Sequence, residues 1–409
     1  MSAKTIAVLA TLDTKGAEAA FIRDQLEAMG SRALLVDLGV IGEPTTEAGI
    51  SREDIAAAGG KSLADILADP TREAATPIMA AGATKLLRER LESGQLHGAI
   101  GLGGLQGTAL CTQIMRDLPY GFPKVMVSTV ASGDTAAYVD IKDITMMFSV
   151  SDILGLNPFT RKILAKAAGA AHGMAQVDDE VTKSASGKPL IGMSNLGVLT
   201  RGALKAIEYF EEKGYEVIVF HAVGSGGRAM EQMMKEGIIG GVFDYALGEI
   251  ADEHFEGLRA GGPERLTVAG KLGLPQVICP GGAEHLGVLV DPPNTVPDRY
   301  KNHQHVFHNP IVFVPRLGKD EMVELASDIA DRLQYTKGSA VFMMPLGGTG
   351  SYAMEGGPLR DPEGDQAFFA ALEEKLPSTI EIEKHDTHAE DPAFVKACVD
   401  RLIALIEQA

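Results

Sequence analysis

Brief apolar runs alternate with longer segments of helical periodicity along almost the whole chain. In the first half, Ile6–Ala10, Ala33–Val36, Ala99–Leu102 and Lys124–Ser128 read as strands, each a short apolar run bounded by turn residues. Helices are expected over Ala17–Met29, over Glu53–Leu91 with breaks near Pro70 and Pro77, and over Pro158–Gln176. Tyr138–Val150 reads as irregular or strand-like. In the second half, strands are expected at Leu190–Ser194, Glu216–His221, Gly241–Leu247, Gln276–Cys279, Ile311–Val314, Val341–Pro345 and Thr379–Glu383. A final helix, Asp391–Glu407, carries Pro392 near its first turn. Strands apolar throughout, rather than at every second position, belong to parallel sheets buried on both faces.

Between the halves, Val177–Lys188 (VDDEVTKSASGK) is polar and small, and Pro189 follows it. The domain boundary is expected there. The predicted fold class is α/β: two Rossmann-like domains, each a mainly parallel sheet with helices on both faces, over 1–180 and 189–409.

Composition sharpens this. With 45% hydrophobic and 22% charged residues over 409 positions, the chain can bury a core, which excludes disorder. Aromatics are scarce at 5%, and Trp is absent, which argues against stacking platforms. The 55 acidic residues against 37 basic ones leave a formal charge of −18. That field repels phosphate backbones, so neither nucleic acid nor an anionic membrane is expected as a partner. A small anion remains compatible, because a helix N-terminus acts locally. Cys111, Cys279 and Cys398 are scattered and odd in number, which fits no disulfide framework. The N-terminal apolar run is too short for a signal peptide, no stretch has the length of a membrane span, and cytoplasm is the expected location.

Glycine is enriched, 47 of 409 or about 11%, and gathers where strands hand over to helices. Gly101-Leu102-Gly103-Gly104-Leu105-Gln106-Gly107-Thr108 precedes a helix; glycine lets backbone approach a ligand, and the helix start offers unpaired N–H groups. With no Lys after its last glycine, it is not a P-loop. Two other strand ends are rich in hydroxyls: Thr11-Leu12-Asp13-Thr14-Lys15-Gly16 and Ser128-Thr129-Val130-Ala131-Ser132-Gly133-Asp134-Thr135. In a parallel sheet all three lie on the carboxyl edge and can converge on a nucleotide's phosphates. Thr14, Ser132 and Thr135 equally suit helix caps.

The second half repeats the arrangement at Phe220–Arg228, Gly248–Glu253, Pro280–His285 and Pro345–Ser351. A second crevice lined by Arg228, Glu249, Glu284 and nearby histidines is expected, with the alternative that Glu249 and Asp252 only favour a helix start. His303, His305 and His308 form an H-x-H-x-x-H run that could ligate a metal, or lie in a solvent loop. Cys279 sits at a strand end, where a nucleophile or a buried thiol can stand.

Thr11–Gly16 (TLDTKG), Gly103–Thr108 (GGLQGT), Ser128–Thr135 (STVASGDT) and Gly226–Glu231 (GGRAME) together resemble the ATP-binding family typified by the N-terminal region of the tomato mosaic virus resistance protein. The resemblance spans nearly the whole chain. It implies two Rossmann-like domains, a homodimer or higher homo-oligomer, and ATP with Mg²⁺ in the first domain. Carried over residue by residue, it surrounds the nucleotide with Thr11, Asp13, Thr14, Lys15, Gly103, Gly104, Gly107, Thr108, Ser132, Gly133 and Thr135.

The expected function is an ATP-dependent metabolic enzyme, of phosphoryl- or acyl-transfer type, acting on a small carboxylated substrate near Arg228, Glu249, Glu284 and His308. The alternatives are a nucleotide-responsive protein-binding module without turnover, and a metal-dependent lyase or hydrolase using the histidine run.

Overall fold

The computed structural model describes residues 3–177 and 186–409, so most of the expected boundary at Val177–Lys188 lies outside the described residues. The chain divides into two compact units, Met1–Val181 and Thr182–Ala409.

The first unit is built on strands β1 (Thr5–Ala10), β2 (Arg32–Asp37), β3 (Gly98–Gly103), β4 (Lys124–Ser128) and β5 (Thr145–Phe148). They are all parallel, in the order β2-β1-β3-β4-β5. Its helices are α1 (Leu12–Ala28), α2 (Arg52–Ala58), α3 (Leu63–Ala68), α4 (Arg72–Glu92), α5 (Leu105–Arg116), α6 (Ala136–Val139) and α7 (Pro158–Ala175). Successive strand residues point to opposite faces. Ile6, Val8, Ile100 and Leu102 pack against α1 and α7, while Ala7, Leu9, Ala99 and Met126 pack against α2, α4 and α5. Because the chain steps from β1 outward to β2 and then back past β1 to β3, the carboxyl ends of β1 and β3 flank a topological switch point.

Local signals place these helices. Asn157 caps α7, accepting from the Phe159 and Thr160 amides, with Pro158 at the first helical position. Ser51 and Ser62 open α2 and α3 with capping boxes closed by Asp54 and Asp65. The break expected near Pro70 occurs, since α3 ends at Ala68 and α4 begins at Arg72. The break expected near Pro77 does not: Pro77 lies inside α4. It stands early in the helix, where its missing N–H removes one ladder bond close to the start and the rest propagates normally.

The second unit carries β6 (Leu190–Asn195), β7 (Val217–His221), β8 (Ile239–Ala246) and β9 (Gln276–Gly281), then β10 (Val288–Leu289), β11 (His305–Asn309) and β12 (Val312–Pro315), and finally β13 (Ala340–Pro345) and β14 (Glu381–His385). Six of these form a parallel sheet in the order β14-β13-β9-β8-β6-β7, again with the switch between its first strand and its third. Helices α8 (Thr200–Glu212), α9 (Ser225–Lys235), α10 (Gly248–His254), α11 (Val268–Leu272), α12 (Lys319–Leu333), α13 (Pro362–Lys375) and α14 (Pro392–Gln408) cover it. Phe243, Tyr245, Val277 and Met343 face α8 and α14; Ile278, Phe342 and Met344 face α12 and α13.

Two parallel, helix-covered sheets agree with the expected Rossmann-like class. One strand does not. Ile311–Val314 was expected in the parallel sheet, but Val312–Pro315 belongs to a separate antiparallel sheet, β10-β12-β11. Only Pro310 and Ile311 separate β11 from β12, too short a link for a parallel crossover. This small sheet is pinned to the turn after β9, where the Leu286 and Leu317 amides donate to the Pro315 and Glu284 carbonyls.

Candidate functional site

A cleft of about 500 Å³ opens at the first unit's switch point. Thr11, Asp13, Thr14 and Lys15 from the β1–α1 junction form one wall, and Gly103, Gly104 and Gly107 from the β3–α5 junction form the facing one. Gly39, Val40 and Ile41 after β2, Thr76 and Met79 on α4, Leu110 on α5, and Asp152 complete it. The glycines have steric reasons. A Cβ on Gly103 would stand 2.8 Å from the Gly107 Cα. One on Gly16 would stand 2.1 Å from Thr45 Oγ1, whose hydroxyl donates to the Leu12 carbonyl. Gly104 occupies the N-cap of α5 and, as a glycine, offers no side-chain cap to the first-turn amides.

Hydrogen bonds brace the β1 end. Asp37, buried behind it, accepts from the amides of Leu12 (3.0 Å) and Gly39 (2.9 Å). Burial raises its carboxyl above the usual range, though both amides and Arg52 oppose that. Thr11 and Thr14 share a hydrogen bond of 2.8 Å, and the Lys15 ammonium donates to the Ile153 carbonyl.

Thr108, Ser132, Gly133 and Thr135 were expected at this cleft, and the structure does not bring them to its walls. Thr108 is fully buried, sharing a 2.7 Å hydrogen bond with Ser128 Oγ, which also accepts from the Val130 amide. Ser132, Gly133 and Thr135 follow β4, one strand beyond the switch. The loop after β2 takes the place expected for theirs. Gly39 and Gly42 behind a predicted strand were the available signal.

The second unit has a larger cavity, about 670 Å³, at the carboxyl edge of its sheet. Leu196 and Val198 follow β6, His221 ends β7, His285 and Leu286 follow β9, and Ser351 and Tyr352 follow β13. Leu258 and Arg259 enter after α10, and His308, Val312 and Val314 come from the antiparallel sheet. Between β11 and β12 the register shifts from Phe307 opposite Phe313 to Asn309 opposite Val312. His308 is therefore a bulge residue, and the bulge aims it away from the ladder.

Behind this wall stands a chain of buried polar groups. The Thr349 hydroxyl donates to Glu284 Oε2 (2.7 Å), and Glu284 Oε1 pairs with His285 Nδ1 (2.9 Å). His285 Nε2 meets Arg259 Nη1 at 3.3 Å, and Arg259 is clamped by Asp252 through Nε (2.7 Å) and Nη2 (3.1 Å). Burial would raise the Glu284 carboxyl, but His285, Thr349 and Arg316 outweigh it and hold it down at about 2.

Of the expected catalytic residues, His308 lines the cavity and Glu284 supports it through His285; Arg228 and Glu249 do neither. Glu249 is fully buried, accepting from the Gly224 (2.6 Å) and Gly227 (3.0 Å) amides and from Arg265 Nε (2.7 Å). The glycine loop at the start of α9 thus already holds an anion, the chain's own Glu249. A Cβ on Gly227 would stand 1.9 Å from Glu249 Oε2, so this glycine serves internal packing. Arg228 lies on an exposed part of α9. Sequence reasoning missed Arg259, which no motif marks, and His285, whose signal was its place next to Glu284.

The histidine run disperses. His303 Nε2 pairs with Glu321 (3.1 Å), His305 packs on Phe313 with ring centroids 5.1 Å apart, and His308 turns to the cavity. Among the described residues no group of three His, Cys, Asp or Glu is placed to hold a metal ion. Cys279 is fully buried, and burial pushes its thiol up, so it does not stand as an exposed nucleophile. Among the described residues no helix is long and apolar enough to cross a membrane.

Comparison with known proteins follows the same division. Residues 4–180 match the N-terminal domain, and residues 188–406 the C-terminal domain, of the uncharacterised protein family UPF0261. A UPF0261 protein of Clostridium tetani is 39% identical over 406 residues, 99% of this chain and 100% of that one. One from Rhizobium meliloti is 37% identical over 97% of this chain and 98% of its own. The ToMV resistance protein Tm-1(GCR237) of Solanum lycopersicum is 33% identical over 315 residues, 76% of this chain but 42% of that protein. On both its halves, then, the chain belongs to the UPF0261 family.

Proposed function

We propose that the first unit binds Mg-ATP in its switch-point cleft, and that the chain is a cytoplasmic, homo-oligomeric enzyme using the nucleotide on a small carboxylated substrate held by the second unit. The observation that carries this is one juxtaposition. An uncapped helix start behind Gly103-Gly104 faces a lysine and two hydroxyls across a cleft of about 500 Å³. Backbone amides and the helix dipole suit phosphate, Lys15 adds a point charge, and Thr11 and Thr14 can donate. Asp13 and Asp152 are the carboxylates on the walls, and one or both, with the phosphates and retained waters, would hold Mg²⁺. Val40, Ile41, Met79 and Leu110 offer an apolar surface for a base. When bound, Mg-ATP would supply an activated phosphoryl group; the chain's own part is to hold its charge and keep it oriented.

Calorimetric titration of the full chain with Mg-ATP tests this. Saturable binding is expected, weakened about tenfold or more by Lys15→Ala, since a charge-assisted contact is lost. Absence of heat and of any thermal shift at millimolar nucleotide overturns it. Sedimentation equilibrium checks the oligomer, and phosphate release on adding small acids separates turnover from binding alone.

A further inference from the structure

The second unit's cavity is chemically unlike the rest of the chain. The sequence has 55 acidic residues, yet among the described residues no Asp or Glu lines this wall, where Arg259, His221, His285 and His308 stand among aliphatic side chains, Ser351 and Tyr352. Arg259 and His285 are only 7% and 3% exposed, so the polar groups are built in and not incidental surface charge. Their hydrogens can be assigned. Arg259 has five N–H donors. Nε and one on Nη2 go to Asp252, the second on Nη2 goes to the His285 carbonyl (2.7 Å), and one on Nη1 points to His285 Nε2. The remaining Nη1 hydrogen has no partner among the described residues.

Glu284 Oε1 lies 2.9 Å from His285 Nδ1, and the guanidinium that faces Nε2 can only donate, so Nδ1 carries the hydrogen toward Glu284 and Nε2 turns its lone pair to Arg259. The Nη1–Nε2 contact of 3.3 Å is long for a hydrogen bond and readily yields to a ligand. A donor and an acceptor therefore sit side by side at the cavity wall. They match a carboxylate oxygen and a hydroxyl on the neighbouring carbon, which present an acceptor and a donor over a similar span.

We propose that this cavity binds a small 2-hydroxy carboxylate with a short branched aliphatic chain. Arg259 Nη1 takes the carboxylate, His285 Nε2 accepts from the hydroxyl, His308 closes the rim, and Leu196, Val198 and Val312 pack the chain. The inference rests on the reading of the second unit as the substrate unit and names its substrate class. Glu284 is a positioning residue, acting through His285, and Asp252 positions Arg259 in the same way.

The test uses the full chain without nucleotide, 2-hydroxyisovalerate as probe, and saturation-transfer NMR with calorimetry. Isovalerate lacks the hydroxyl, and 2-hydroxyisovaleramide lacks the charge. The hydroxy acid is expected to bind about tenfold more tightly than isovalerate, and the amide not detectably. Gly197 lines the cavity, and a Cβ there meets nothing within 4 Å, so Gly197→Leu can obstruct the cavity without a clash in the fold. It is expected to abolish binding, and His285→Gln to remove the preference for the hydroxy acid. The inference is overturned by no saturation transfer from any acid, by equal binding of acid and amide, by equal binding of the hydroxy acid and isovalerate, or by binding that survives Gly197→Leu. Mg-ATP titration of the same samples reports on the first unit separately, so failure of one reading is distinguishable from failure of the other.

Discussion

Two buried carboxyls of the second unit are shifted in opposite directions, and their consequences for stability oppose each other. Glu284 titrates at about 2 in the folded chain, against roughly 4.3 for a free side chain. It therefore stabilises the fold above the ordinary carboxylate range, and that contribution is lost as pH falls toward 2. Replacing its donor, Thr349→Val, should cost about 1–3 kcal/mol in urea unfolding near neutral pH, because a buried charge loses a partner. Glu231 differs: burial pushes it up to about 7, and Asp244 adds to this while Arg265 opposes it. Three carboxylates, Glu231, Asp244 and Glu249, surround the one guanidinium of Arg265, and a proton on Glu231 relieves the excess. An acid whose pKa rises on folding loses stability as pH climbs from about 4.3 to about 7. Glu231→Gln should remove that slope, seen as urea midpoints closer together at about pH 5 and about pH 8 than in the wild type. None of this was legible in the sequence. Glu249 and Arg265 are 16 residues apart and Asp244 lies on a strand, so only the packed sheet brings them to one point.

At the level of elements, the first cleft depends on how α1 meets the loop that follows β2. The Thr45 amide and hydroxyl both donate to the Leu12 carbonyl, and Gly16 leaves room for that contact. Gly16→Ala should displace the loop, cost about 1–3 kcal/mol, and weaken nucleotide binding, because Gly39–Ile41 wall the cleft. Thr45→Ala in the same chain should restore part of both, since it removes the atom that clashes; denaturation and calorimetry check it. At the close of the chain, Asp391 accepts from the Ala393 (2.8 Å) and Phe394 (3.3 Å) amides to cap α14. Asp391→Ala should cost about 1 kcal/mol. The final helix and the strand cores were readable in advance, because they depend on neighbours along the chain, although Asp391 caps the helix where the sequence pattern places it inside. Others were not: α4 runs through Pro77, and the antiparallel sheet of β10, β11 and β12 forms apart from the parallel one, decided by where a residue falls in an element or by how short a link is.

For the molecule as a whole, the formal charge of −18 predicts no measurable binding to duplex DNA at about 0.15 M salt, checked by fluorescence anisotropy. Mg-ATP at about 100 times its dissociation constant should raise the stability of the unit that binds it by about 2.7 kcal/mol, read as a shift of its thermal transition.

Amino-acid order alone determined the fold class, most strands and helices, and the two junctions, Thr11–Lys15 and Gly103–Gly107, that form the first cleft. It could do so because apolar periodicity, caps and glycine at strand ends are local, and a parallel sheet places every such end on one edge. Which ends become neighbours was decided by strand order. Having β1 beside β3 opened a cleft there and left Ser132 and Thr135 one strand away. In the second unit, packing filled one glycine loop with Glu249 and turned His285, Arg259 and His308 toward a common space, since side chains distant in sequence meet only when the core is closed.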